Sequence, residues 1–265
     1  AIAFKLGAVP FHMWVPDVYD GAPTSVTAFV GTAPKIAAVV FAFRILVTGM
    51  GTIHSDWAPM LAILAVASLV VGNLAAIMQT NIKRMLAYST VSHMGFILLA
   101  FMAGAVGFTA GLYYAITYAL MAAVSFGVLM VLSTKDIECE NIKDLAGLNQ
   151  RHAWFAFLML LSMFSMAGIP PLMGFYAKFG VIMALLKQGH VWLSVFAVIM
   201  SLIGAFYYLR VVKVIYFDAP DHDQPVGSNY AAKFVLTVNA FLLLLWGIMP
   251  QTVIDWCAKA LINTL

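Results

Sequence analysis

Seven stretches of this chain, residues 22–48, 59–78, 85–103, 108–132, 153–187, 191–217 and 234–256, are long and apolar enough to cross a bilayer. A helix of about 20 residues spans the hydrocarbon core, and backbone in lipid must satisfy its own hydrogen bonds. Runs of this length are therefore helices, and the expected fold is an all-α polytopic membrane helix bundle. Composition agrees: 63% of residues are hydrophobic, 9% are charged and the mean hydropathy is +0.97, which excludes an ordinary soluble domain. Residues 1–12 read as the tail of an eighth span. With Ala1 inside apolar sequence and no Met or charged leader before it, the expectation is a piece whose N-terminal part lies elsewhere.

Two cysteines, Cys139 and Cys257, offer neither a disulfide framework nor metal-ligand spacing. No cofactor is expected. The net charge of +3 does not imply nucleic acid, because no basic run exceeds the pair Lys83 and Arg84. All eleven acidic residues, Asp17, Asp20, Asp56, Asp136, Glu138, Glu140, Asp144, Asp218, Asp221, Asp223 and Asp255, fall in loops or at span ends.

Against that background, Lys35 stands out. It lies 13 positions from either end of the run 22–48, near the depth where lipid accommodates charge least, and residues of this kind mark ion pathways unless they are held by backbone carbonyls in a tight bundle. Ser25, Thr32 and Lys35 share a helical face by spacing, and Pro34 should loosen or break the helix there. Without an intramembrane carboxylate, Lys35 either titrates or finds its partner outside these residues.

Residues 153–187 would measure about 52 Å as one helix, well beyond the bilayer. Gly168, Pro170, Pro171 and Gly174 provide a break, with Lys178 following. Interrupted helices at this depth are tolerated where they line a cavity or lie buried, and they point to transport sites. Lys5 lies beside a second interruption at Pro10 and Pro16, where it either snorkels to an interface or belongs to the path; Trp14 and Tyr19 read as an interfacial belt. In the run 85–103, Ser89, Ser92, His93 and Phe96 share a face, so His93 is a fourth titratable group or a histidine hydrogen-bonded to serines in a helix interface. Tyr114, Thr117, Tyr118, Met121 and Ser125 form a face that carries water or bonds helix to helix. Ser194, Ser201 and Tyr208 recur at sevens, and the last helix reads as peripheral. Two lysine charges about 10 Å apart at an effective dielectric near 20 repel by roughly 1.7 kcal/mol, so loading one helps to unload the next.

The runs FKLGAVPFHMWVPDVYDGAPTSVTAFV with the following APK, NIKRMLAYSTVSHMGF, and AGIPPLMGFYAKF resemble the N-subunit family of bacterial NADH:quinone oxidoreductase, respiratory complex I, more than its L and M relatives or Mrp antiporter subunits. That resemblance covers nearly the whole chain. It implies an antiporter-like fold with discontinuous helices and inverted repeats, in which residues 1–58 end the first repeat, 59–217 form the second and 218–265 carry a C-terminal peripheral transmembrane helix. It further implies proton translocation through Lys5, Lys35, Lys178 and His93, with redox cofactors and quinone held by other subunits. A glutamate partner for Lys5 in that family lies outside these residues. The expected setting is a bacterial inner membrane beside other antiporter-like and small membrane subunits. An Mrp-type cation/proton antiporter subunit and a non-transporting scaffold are the alternatives. The excess of basic residues around Lys83, Lys143, Arg151, Arg210 and Lys213 places that side in the cytoplasm.

Overall fold

The computed structural model describes residues 1–133, 139–220 and 230–262, and these are helical throughout apart from short connections and one isolated bridge. Lys135, Asp136, Glu138, Asp221, His222 and Asp223, placed in loops by the sequence, lie outside the described residues. In chain order the helices are α1 (Ile2–Leu6), α2 (Trp14–Gly21), α3 (Thr24–Val30), α4 (Ala33–Phe43), α5 (His54–Met78), α6 (Ile82–Met102), α7 (Gly104–Leu132), α8 (Leu148–Ala167), α9 (Met173–Lys187), α10 (Val191–Phe217), α11 (Tyr230–Ile248) and α12 (Pro250–Ile262). Among the described residues, six helical runs are long and apolar enough to cross a membrane by themselves. The run that the sequence reads as one further span, residues 153–187, holds the two helices α8 and α9.

α6 is the axis of the bundle. Nearly all of its side chains are buried, whereas α5 and α10 each turn an apolar face outward, with Ile63, Met78, Leu202 and Phe206 among the exposed residues. Such a distribution suits a helix enclosed by its neighbours and an outer layer that meets lipid. α6 packs most closely on α5, where Gly72 lets the backbones approach; a Cβ there would come within 2.6 Å of the Ser92 amide nitrogen. Small residues at such a crossing are how membrane helices gain contact where no hydrophobic drive exists between them.

Three interruptions shape the bundle. The first, residues 7–13, separates α1 from α2. The second separates α3 from α4 at Gly31–Thr32, with Pro34 in the first turn of α4, where its missing N–H costs no helical bond. This break also corrects the expected polar stripe. Ser25 faces outward, Thr24 and Thr27 are the buried hydroxyls of α3, and Lys35 sits on a separate helix whose register the break has reset. The third is the expected one at Gly168–Leu172. α8 itself bends at His152, whose backbone is non-helical (φ −146°, ψ 74°).

The last helix is broken too, at Met249. Gly247 of α11 lies against Pro171 and Leu172, so close that a Cβ would overlap the Pro171 carbonyl. α11 packs on α7, α8 and α9, while α12 runs on beside α7.

On the basic side of the bundle, charged residues tie connections to helices. Arg84 meets Asp17 at 3.1 Å and Asp20 at 3.3 Å, joining α2 to α6. The stretch NIKDLAGL holds a single tight turn, Ile142–Leu145, closed by reciprocal bonds between Asn141 and Asp144, with Ile142 and Leu145 buried. Arg210 of α10 donates to the Ile77 carbonyl (2.9 Å) and the Gln79 carbonyl (2.6 Å), satisfying acceptors that the end of α5 leaves free. Replacing it, Arg210→Ala, is expected to lower the stability of the full-length protein by about 2 kcal/mol, the scale of charged hydrogen bonds. Thermal unfolding in detergent reads the loss, and faster amide exchange around residues 77–82 reads its location.

Candidate functional site

Two of the three buried lysines among the described residues, Lys35 and Lys178, meet the end of a broken helix; the third, Lys83, lies in the first turn of α6. α1 stops at Leu6 because Gly7 adopts a left-handed conformation (φ +80°), and α8 stops at Ala167 because Gly168 does the same (φ +89°). The final carbonyls then have no partner within their helices. Lys35 reaches across from α4, and its Nζ donates to the Leu6 carbonyl at 2.8 Å. Lys178 reaches back along its own hairpin, and its Nζ donates to the Ala167 carbonyl at 3.0 Å. Lys35 is 1% exposed and Lys178 7%. No carboxylate of the described residues pairs with either; the negative end of a helix dipole takes that place.

The glycines are required twice over. Their φ values disfavour any side chain, and an added Cβ would lie 3.4 Å from the Lys35 amine at Gly7 and 3.0 Å from Lys178 Cδ at Gly168. On the far side of each gap a serine hydroxyl receives a stranded amide: Ser68 from Val9 at 2.9 Å and Ser165 from Gly174 at 3.1 Å. The same four-part arrangement of helix end, left-handed glycine, lysine and serine thus occurs twice.

Aromatic rings complete both pockets. Lys35 Nζ lies 5.0 Å from the centre of the Trp14 ring, and Lys178 Nζ lies 5.7 Å from that of Phe96. Trp14 also donates to the Phe4 carbonyl, so half of the expected interfacial belt works inside the site. Tyr19, the other half, is completely buried and packs edge-on against Phe126; the proline-broken loop folds inward, which the alternation of Trp, Pro and Tyr alone does not disclose.

His93 lies on α6 with both ring nitrogens engaged: Nδ1 with the Tyr114 hydroxyl at 2.8 Å and Nε2 with the Tyr208 hydroxyl at 2.9 Å. Tyr208 continues to Ser89 Oγ at 2.7 Å. Its partners are tyrosines from α7 and α10 rather than the serines on its own face. The neighbouring pair Thr90 and Tyr118 closes at 2.6 Å, and Ser125 bonds Ser162 at 2.8 Å, so the hydroxyl face of α7 joins helix to helix.

The four residues singled out by sequence fall into two groups. His93 and Lys178 line one small cavity with Ser201, Phe96, Tyr208 and Asn73; it offers about 10 Å³ to the centre of a water-sized sphere, room for roughly one water. Lys35 is placed instead on the carbonyl next in chain to Lys5, whose own side chain is exposed on the surface of this chain. Beside His93, the Tyr118 ring lies 5.1 Å away and its hydroxyl bonds Thr90, while Tyr19 packs on Phe126. Sequence reasoning passed over Asn73, which is fully engaged: it donates to the Leu69 and Met200 carbonyls and accepts from Tyr207 at 3.1 Å. An asparagine inside an otherwise apolar span was the available signal.

Chemically, Lys178 is built for two protonation states. Its Nζ donates to the Ala167 carbonyl and to Ser201 Oγ (2.9 Å), leaving a third position that carries a proton in the ammonium and a lone pair in the amine. Tyr208→Phe, which removes the bonds to both His93 and Ser89, is expected to cost about 2 kcal/mol, because two buried groups lose a partner. Chemical unfolding of the purified full-length protein measures it.

Comparison with known proteins follows the same geometry. Residues 1–204 match the family model described as NADH:quinone oxidoreductase/Mrp antiporter, TM. The chain is 83% identical over its whole length to a Neisseria gonorrhoeae protein named NADH-quinone oxidoreductase subunit N, of which it covers 55%, and 55% identical over 98% of its length to the Thioalkalivibrio sulfidiphilus protein of that name, of which it covers 54%. It spans about half the length of these relatives. Among solved structures, it superimposes on a chain of respiratory complex I from Thermus thermophilus with bound aureothin (31% identity, TM-score 0.84, 96% of this chain and 56% of that one). It shares its fold with a chain of the Mrp complex from Dietzia (22% identity, TM-score 0.87, 98% of this chain and 57% of that one). With a family model covering most of its length and an antiporter-like bundle of interrupted helices, the chain belongs to the NADH:quinone oxidoreductase/Mrp antiporter transmembrane family.

Proposed function

We propose that this chain is the proton-translocating part of an N subunit of NADH:quinone oxidoreductase, passing protons among Lys5, Lys35, His93 and Lys178 while quinone reduction takes place elsewhere in the complex. The observation that carries this reading is the pair of buried lysines bonded to helix-end carbonyls instead of carboxylates. A full counter-charge beside an ammonium holds its proton far more firmly than a half-charge dipole does. A lysine held by a carbonyl can release a proton and keep the same partner, since the neutral amine still donates.

Around His93 the step is equally local. In the neutral ring one nitrogen donates and the other accepts, and in the imidazolium both donate. Rotation of the Tyr208 and Tyr114 hydroxyls accommodates either state, and one water in the shared cavity bridges towards the third position of Lys178. Lys5, on the surface of this chain and next to the carbonyl that holds Lys35, hands protons to that pair or takes them from it.

The doubled motif at Leu6–Gly7 and Ala167–Gly168 supports reading residues 1–58 as the end of one repeat, 59–217 as a second, inverted one and 218–265 as a C-terminal helix. The identities to subunit N relatives favour complex I over an Mrp assembly, with other antiporter-like membrane subunits as neighbours, a bacterial inner membrane as the setting, and no redox group on this chain. In the assembled complex, Lys35→Ala and Lys178→Ala are each expected to reduce proton pumping at least ten-fold. Lys178→Arg should do the same with assembly intact, because guanidinium keeps its proton. Pumping measured with a pH-sensitive dye in vesicles checks both; wild-type pumping in Lys35→Ala and Lys178→Ala overturns the reading.

A further inference from the structure

On the side away from the relay, α9 borders a second cavity of about 510 Å³, closed by α7, α12 and Phe43 at the end of α4. Its walls are apolar except at four places: Thr109 and Tyr113 of α7, and Tyr176 and Lys187 of α9. From Tyr176 to Lys187 the α9 wall runs 11 residues, roughly 16 Å, which is about half of the hydrocarbon core. The interruption at Gly168–Leu172 lies just inside Tyr176 on α9. The cavity therefore extends through one leaflet, from the level of the headgroups inward to the break.

One feature of this cavity is unexplained by packing: Lys187, an exposed cation at the rim of an apolar slot, with Arg44 and Lys259 each following a lining residue in the chain. Gly104, which starts α7, lies beside Gln188, next after Lys187, so the rim is formed where these two helix ends meet.

We propose that this cavity is a lipid site that takes one acyl chain of an anionic phospholipid. The chain fills the slot between α7, α9 and α12, and the phosphate meets the Lys187 ammonium. Gly180 keeps the slot open; a Cβ there would meet only Ala110, at 3.7 Å. None of these residues belongs to the proton relay, and the site stands whether or not that relay operates.

The test uses the full-length protein in its assembled complex, reconstituted in vesicles of phosphatidylcholine doped with a photoreactive phosphatidylglycerol or a photoreactive phosphatidylcholine. Cross-links mapped to residues 105–113 and 176–187 are expected, with phosphatidylglycerol favoured at least five-fold. Gly180→Leu, which fills the slot, should abolish these cross-links. Lys187→Glu, at the rim, should remove the preference for phosphatidylglycerol. Should Gly180→Leu fail to assemble, Lys187→Glu decides. Equal labelling by both lipids in the wild type, an unchanged preference in Lys187→Glu, or cross-linking of the slot to a neighbouring protein chain overturns the proposal.

Discussion

A helix that stops inside a membrane leaves carbonyl groups that neither its own backbone nor bulk water can satisfy. In this bundle the two ends at Leu6 and Ala167 are each satisfied by a lysine amine, and most of the remaining architecture follows from that exchange. The break needs a donor, and the lysine needs an acceptor at a depth where a lone cation is costly. Each solves the other's problem, and the left-handed glycine between them supplies both the stop and the space. Neither half persists alone: without the break the carbonyl is already used within the helix, and without the lysine the break is an unsatisfied end in lipid.

The arrangement also sets how firmly charge is held. A carboxylate at the same distance would carry about twice the opposing charge of a helix terminus and would fix the lysine as an ammonium. Asp17 and Asp20 are instead engaged with Arg84 at the basic end of α6. The interior is left with neutral, polarisable partners: backbone carbonyls, the rings of Trp14 and Phe96, and tyrosine hydroxyls that donate or accept as required. Such an interior can change its protonation state without breaking an ion pair.

What the sequence disclosed and what it withheld divide along a physical line. Spans, interruptions and the depth of Lys35 and Lys178 are properties of a single run of residues, and hydropathy, proline and glycine report them. The break at Gly168–Leu172 was legible for that reason, since 35 residues exceed a bilayer. The partners of His93 were not, because Tyr114 and Tyr208 come from α7 and α10, and helical spacing defines a face without saying what meets it. Tyr19 was misplaced at an interface for a similar reason: a proline-broken loop can fold inward as readily as it can lie on a surface, and only contact with Phe126 decides. Asn73 gave a signal in its type and depth, but its value lay in joining α5 to α10, which no single run contains. Of the alternatives left open for Lys35, the structure shows the lysine on a backbone carbonyl, a bond that both the ammonium and the neutral amine can make.

α9 is where these constraints converge. Residues two apart on a helix point to nearly opposite sides, so Lys178 faces the cavity of His93 while Tyr176 and Gly180 face the apolar slot. The helix is only 15 residues long and begins at the break, yet it packs on α6, α7, α8, α10 and α11, with Gly174 against Ser165 and Gly247 of α11 against the preceding Pro171 and Leu172. That packing holds the Lys178 amine where both its bonds, to the Ala167 carbonyl and to Ser201, keep the narrow range of distance and angle that a hydrogen bond needs.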